Sequence, residues 1–190
     1  LGQSNSGTIW LPRKQKQELP LDMPNTFVHL RVHSEYSMVD GLVRVKPLIS
    51  RTAELGMPAV GLTEQSNMCS LVRFYKAALG AGVKPIIGAD IWLENAEEPD
   101  NPFRLTLLAR DNDGYLNLTE IISLGYTDGQ HHGKPIIRRE WLEARANGLI
   151  VLSGAKLGDV GKALMAGKPE LARERADYWR KLYPDSYYLE

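Results

Sequence analysis

The chain has a single cysteine, Cys69, in 190 residues. No intrachain disulfide can form, and a reducing, cytoplasmic setting is expected. Excess charge is missing too. Lys and Arg total 23 and Asp and Glu total 23, with a pI near 7.1. That balance excludes the broad basic surface on which a sequence-independent grip on nucleic acid depends, although a domain sitting beside a nucleic-acid channel stays possible. No apolar run is long enough to span a membrane and no signal peptide is visible, so no membrane partner is expected. What is present is ordinary for a globular protein with one real core: 43% hydrophobic and 24% charged residues.

The most informative stretch is Phe27-Val-His-Leu-Arg-Val-His-Ser-Glu-Tyr-Ser-Met-Val-Asp-Gly41. It opens with strict alternation, which reads as a strand with Val28, Leu30 and Val32 on one face and His29, Arg31 and His33 on the other. Ser34, Glu35, Ser37 and Asp40 follow at once. Polar groups gathered where a strand runs out are typical of a site on an alternating strand–helix fold. The competing reading is an edge strand with a solvated face.

Residues 1–22 differ from the rest: polar, rich in Gln, Ser, Asn, Gly, Lys and Pro, without period. They read as an expression-derived or flexible arm, and residues 23–190 as one domain. From Thr26 onward strands and helices alternate. Helices are expected from Pro47 to Gly56, from Leu71 to Gly80, around Leu116–Leu124, from Glu140 to Ala146, from Asp159 to Met165 and from Pro169 to Leu182. After the first strand, further strands are expected at Ala59–Leu62, Lys84–Leu93, Phe103–Ala109, Leu149–Leu152 and Tyr187–Glu190. Glu94–Pro102 reads as a solvated hairpin loop, and Thr127–Pro135, with His131 and His132, as a polar loop. This order implies an α/β fold with a largely parallel sheet. Six strand candidates are fewer than a closed eight-stranded barrel needs, so a truncated barrel is expected.

In such folds polar side chains at strand ends converge. Here they are His29, Arg31 and His33 with Asp40, then Glu64 and Gln65, Asp90, Arg104, and Ser153-Gly154-Ala155. Three carboxylates and up to two imidazoles could ligate zinc, manganese or iron and activate water for phosphoester hydrolysis. Arg31 and Arg104 complicate that reading. Arginine stays protonated and cannot ligate a cation. Among Asp40, Glu64 and Asp90, the two guanidiniums would stand where metal otherwise would. His29 reads as a hydrogen-bonded rim histidine, the adjacent His131 and His132 as a solvated pair, and Cys69 as buried and unreactive.

These motifs, together with Leu55-Gly-Met-Pro-Ala-Val-Gly-Leu-Thr-Glu64, Asn67-Met-Cys-Ser-Leu-Val72, Gly82-Val-Lys-Pro-Ile-Ile-Gly-Ala-Asp90, Gly114-Tyr-Leu-Asn-Leu118 and Gly148-Leu-Ile-Val-Leu-Ser-Gly154, carry a resemblance. From about Asn25 to Glu190 the chain resembles the PHP (polymerase and histidinol phosphatase) domains at the N-terminus of bacterial DNA polymerase III alpha subunits. The resemblance implies a distorted (β/α)7 barrel, with complete members binding up to three metals and some hydrolysing nucleic-acid 3′ ends. Asp40 matches the family pattern, and His33, Glu64 and Asp90 hold remnant ligand positions. Arg31 stands for one of the family's paired histidines, Gln65 for the histidine of Asp-His-Gly, Arg104 for a further histidine and Ala155 for a cysteine. Asp90 is a shorter carboxylate than the family's glutamate.

By that resemblance the domain is expected to be a scaffold without catalytic residues or cofactor of its own. It would stabilise a DNA-directed DNA polymerase, a nucleotidyltransferase using magnesium in other domains on primer-template DNA. It would also dock the proofreading exonuclease (epsilon) subunit. The alternative is an active phosphoesterase or 3′–5′ exonuclease with Mn or Zn on His33, Asp40 and Asp90.

Overall fold

The computed structural model describes residues 27–38 and 40–190; the arm expected at residues 1–22 lies outside them. Seven strands alternate with six helices among the described residues. The strands are β1 (Ala59–Gln65), β2 (Lys84–Leu93), β3 (Phe103–Ala109), β4 (Gln130–His131), β5 (Lys134–Ile137), β6 (Leu149–Leu152) and β7 (Tyr187–Tyr188). The helices are α1 (Val45–Glu54), α2 (Leu71–Gly80), α3 (Asn112–Thr127), α4 (Arg139–Ala144), α5 (Asp159–Met165) and α6 (Pro169–Leu182). Local chemistry sets several boundaries. The Asp111 carboxylate caps α3 by accepting from Gly114 N at 2.9 Å. Pro169 occupies the first turn of α6. Gly56, at φ +67°, leads the chain out of α1.

The sheet runs β4-β5-β2-β3-β6-β7, with β1 also paired to β2. It is open along this path, so the barrel expected from the sequence is not closed among the described residues. Nor is the sheet as parallel as the alternation suggested. β3 is antiparallel to both β2 and β6, because the nine-residue connection from β2 is a hairpin loop without a crossover helix. The stretch expected to be a polar loop at residues 127–135 instead carries the small β4–β5 hairpin.

Period-two alternation divides the sheet into two faces. Ala89, Ile91 and Leu93 of β2 and Phe103, Leu105 and Leu107 of β3 enter the main core, under Leu118, Ile121, Leu142 and Trp179. Val60 and Leu62 of β1 pack with Val45, Ile49, Phe74 and Ala78 beneath α1 and α2. The opposite face carries Asp90, Trp92, Arg104 and Thr106.

The first strand is less regular than its alternation promised. The segment 27–33 is an extended edge tied to β1 by one parallel bridge, His29 to Val60, and by bonds from Gly61 N to His29 O (2.6 Å) and Thr63 N to Val32 O (2.9 Å). Gly61 is needed there, since a β-carbon would meet Leu30 O at 2.5 Å. An open groove of about 850 Å³ runs from this segment to Tyr188, Leu189 and Glu190, floored by Ile86, Leu108, Ile150 and Leu152.

Helices α4, α5 and α6 meet at Asp159, which is fully buried. Its carboxylate accepts from Trp179 Nε1 (3.0 and 3.1 Å), Arg139 Nη2 (3.0 Å) and Val160 N (2.9 Å). Removing it strands an indole N–H and a guanidinium with no other ion pair among the described residues. Asp159→Ala is expected to cost about 3 kcal/mol, read as a lower urea midpoint at unchanged slope.

Candidate functional site

The site forms where the segment 27–33 and β1 reach their carboxyl ends, beside the middle of β2. Asp90 lies opposite Gln65 of β1 and Thr106 of β3, and its side chain is fully buried. Every oxygen of its carboxylate is engaged. Oδ2 accepts from Arg31 Nε (2.7 Å) and His33 Nε2 (2.8 Å), and Arg31 Nη2 lies 2.6 Å from it as an ion pair. Oδ1 accepts from Thr106 Oγ1 at 2.5 Å. The other ring nitrogen of His33, Nδ1, meets Asp40 Oδ1 at 2.9 Å. A neutral imidazole has only one N–H, so an imidazole between two carboxylates satisfies both only as the cation.

Arg104 completes the group from one position along. It pairs across the strands with Trp92, and its guanidinium carbon sits 4.9 Å from that ring's centroid. Its Nη1 is 4.0 Å from Asp90 Oδ2, while its Nε is buried without a partner. Arg104 therefore lies at the margin of the cluster and is held chiefly by the indole. Glu190 also bears on the cluster. Its Oε2 accepts from Gly154 N at 3.0 Å, and its charge reinforces the Arg31 cation.

Glu64 is not part of this cluster. Alternation puts it on the face of Leu62, whereas Gln65 shares the face of Asp90. Glu64 is buried in a cage of neutral donors. Ser37 Oγ (2.6 Å), Ser70 Oγ (2.9 Å), Ser34 N (3.0 Å) and the Ser34 hydroxyl all point at its oxygens. The expectation that arginines compensate all three carboxylates thus holds geometrically for Asp90 and not for Glu64. The Gln65 amide donates to Ser66 Oγ and to Asp90 O, and its Oε1 is buried without a partner. Ala155 is exposed in a single 3-10 turn after β6, at φ +46°. His29 is exposed and packs edge-on against Phe27 at 4.7 Å, with no side-chain hydrogen bond among the described residues. Cys69 is exposed, not buried. Ser70 and Thr106, both decisive donors, were missed. Their only signal was the period-two placement of Thr106 and the position of Ser70 just before α2.

These positions do not fit the metal cluster of the fold family. Both Asp90 oxygens are taken, and both His33 nitrogens face carboxylates with no lone pair left for an ion. Arg31, Arg104 and protonated His33 stand with Asp40, Asp90 and the nearby charge of Glu190, so the carboxylates are already matched by cations without a divalent ion.

With the geometry in hand, comparison with known proteins gives the family. The PHP domain model matches residues 29–190. The chain belongs to the PHP domain family. It is 55% identical over 169 residues to the DNA polymerase III subunit alpha of Pseudomonas fluorescens and 48% identical over 164 residues to that of Escherichia coli strain K12. Those matches cover 88% and 86% of this chain but 14% of each relative, so the chain spans about one-seventh of their length. A solved candidate metal-dependent phosphoesterase from Bifidobacterium adolescentis aligns over 84% of this chain and 85% of its own, at 11% identity and a TM-score of 0.49, too loosely to inform the site.

The PHP domain's cluster sets a pH window. Burial opposes both charges, but the His33 pKa is raised by its bonds to Asp90 and Asp40. That stabilisation is complete below about pH 6.5, the unfolded value, and fades as pH rises through the raised folded value. The Asp90 pKa is lowered despite burial, by His33, Arg31 and Thr106. Its contribution is present above about pH 4 and fades as pH falls through the lowered value. We expect urea midpoints to decline on the alkaline side in the wild type, and His33→Gln to flatten that limb. Asp90→Ala should cost about 3 kcal/mol, because Arg31 and His33 then lose the one buried carboxylate they share. Arg104→Ala should cost less, about 1 to 2 kcal/mol, the scale of a desolvated cation–π contact.

Proposed function

We propose that this domain is a non-hydrolytic scaffold within a replicative DNA polymerase III alpha subunit. On this reading, guanidinium and imidazolium groups hold the old metal pocket together. The observation that carries it is Asp90, whose oxygens are filled by Arg31, His33 and Thr106. Arginine can neutralise a carboxylate, but it cannot bind and acidify a water molecule, the step metal-assisted hydrolysis needs. The domain then contributes rigidity and surface and leaves phosphoester chemistry to other parts.

The wider role rests on the relatives. The full-length protein would extend primer-template DNA as a DNA-directed DNA polymerase, with magnesium bound outside this chain. The domain would stiffen that protein and dock the proofreading epsilon subunit. The seven-stranded barrel of the family belongs to the same proposal. The groove of about 850 Å³ already separates the two edges of the open sheet and has an apolar floor suited to further packing.

The test uses the full-length subunit carrying this domain, freed of metal with chelator and reloaded with Mn²⁺ or Zn²⁺. We expect no cleavage of DNA 3′ ends attributable to the domain, and co-elution with the exonuclease subunit on gel filtration. Cleavage abolished by Asp40→Asn or Asp90→Asn, along with loss of bound metal, would overturn the scaffold reading. Failure to co-elute would remove the docking role.

A further inference from the structure

A second group of ligand-type side chains lies outside the pocket. Asp100, in the β2–β3 loop, faces the β4–β5 hairpin, and both imidazoles of that hairpin point at it. His131 Nε2 is 2.8 Å and His132 Nε2 is 3.5 Å from the same oxygen, Asp100 Oδ1. One ligand atom from each residue lies within 4.8 Å of the others, the one such trio among the described residues.

Adjacent residues normally point to opposite sides of a strand. Here the two-residue loop His132-Gly133 overrides that rule. Both residues have positive φ, +47° and +75°, as a type I′ hairpin turn requires. The left-handed turn swings His132 to the side of His131 and leaves the ring centroids 4.3 Å apart. Asparagine, aspartate and glycine dominate the first position of such turns. Histidine there adds nothing to the turn itself but supplies a second imidazole.

We propose that Asp100, His131 and His132 bind one divalent transition-metal ion of the zinc class. Two imidazoles and a carboxylate are a donor set zinc accepts readily, with remaining positions open to water. Ligand atoms about 2.0–2.1 Å from a tetrahedral ion lie about 3.3 Å from one another. The two separations from Asp100 Oδ1 bracket that value, so small rotamer changes suffice. Among the described residues, Lys134 also bears on the Asp100 carboxylate beside the two histidines. An ion here would clip the β2–β3 loop to the β4–β5 hairpin, 31 residues on.

The decisive experiment titrates zinc chloride into the metal-free full chain against a chromophoric chelator, beside the double variant His131→Gln/His132→Gln. The wild type should take up one equivalent more than the double variant, and Asp100→Asn should weaken that equivalent at least tenfold. Zinc should also raise the melting temperature of the wild type more than that of either variant. All three side chains lie at the surface, so melting in EDTA should match across the set. Should a variant melt lower in EDTA, the zinc-induced increment is compared in its place. Equal stoichiometry and affinity in wild type and double variant would overturn the site. Because only the difference between variants counts, the result is independent of what happens at Asp90.

Discussion

A carboxylate buried in the middle of a strand is the constraint around which the domain is arranged. Asp90 has no solvent to stabilise its charge, and desolvation alone would push it towards protonation. The fold answers by bringing in the segment 27–33, which delivers Arg31 and His33 to one oxygen, and by setting Thr106 opposite to serve the other. The dependence is mutual. Among the described residues that segment meets β1 through one bridge and a few hydrogen bonds, Val32 N to Thr63 Oγ1 included. The charged contacts at Asp90 add to that attachment. The interactions that neutralise Asp90 also help to fasten the edge.

Two further buried carboxylates show that this solution is one of several. Glu64 is served by three hydroxyls and a backbone N–H, with no formal cation among its partners. Asp159 is served by an indole, a guanidinium and the N–H of the residue after it at the start of α5, where the helix dipole also favours negative charge. The three differ in what else they join. Glu64 binds the loop after residue 33 to the start of α2, Asp159 joins three helices, and Asp90 joins the sheet edge to its centre. Each sits where elements distant in sequence must be held at one angle, a task for which directional hydrogen bonds suit better than apolar contact.

Much of this was legible in the sequence. Strand and helix positions followed from period and from Gly and Pro placement, and β2 and β6 fall where alternation and apolar runs put them. The arginines at positions 31 and 104, among the carboxylates at strand ends, were also visible. Strand direction was not. An apolar run such as Phe103–Ala109 carries no sign of whether it runs up or down, and only the hairpin length of residues 94–102 hinted at an antiparallel turn. Nor was the face of Glu64 read correctly, because the sequence was collected by strand end and not by parity. Glu64 and Gln65 differ by one residue and therefore by one face. The convergence of His131 and His132 was hidden for a related reason. Adjacency implies divergence unless a left-handed turn intervenes, and His-Gly is a weak signal for one.

The arginine-for-ligand pattern also runs in one direction chemically. A metal pocket that loses one histidine can still bind an ion, more weakly, and keep some hydrolytic capacity. Once a guanidinium enters, the carboxylates are already neutralised, and the ion must compete with a covalently attached cation present at very high local concentration. Arg31 contacts the Asp90 oxygen that a metal would need, and His33, drawn between Asp40 and Asp90, gives up the lone pair it would have donated. Reverting Arg31 alone would leave Arg104 within 4.0 Å of Asp90, and reverting Arg104 alone would leave Arg31 in place. Hydrolysis in this pocket would therefore require several coordinated changes, whereas Arg31 and His33 already contribute to holding the first segment on the sheet. The cations that neutralise Asp90 also tie the first segment to the sheet.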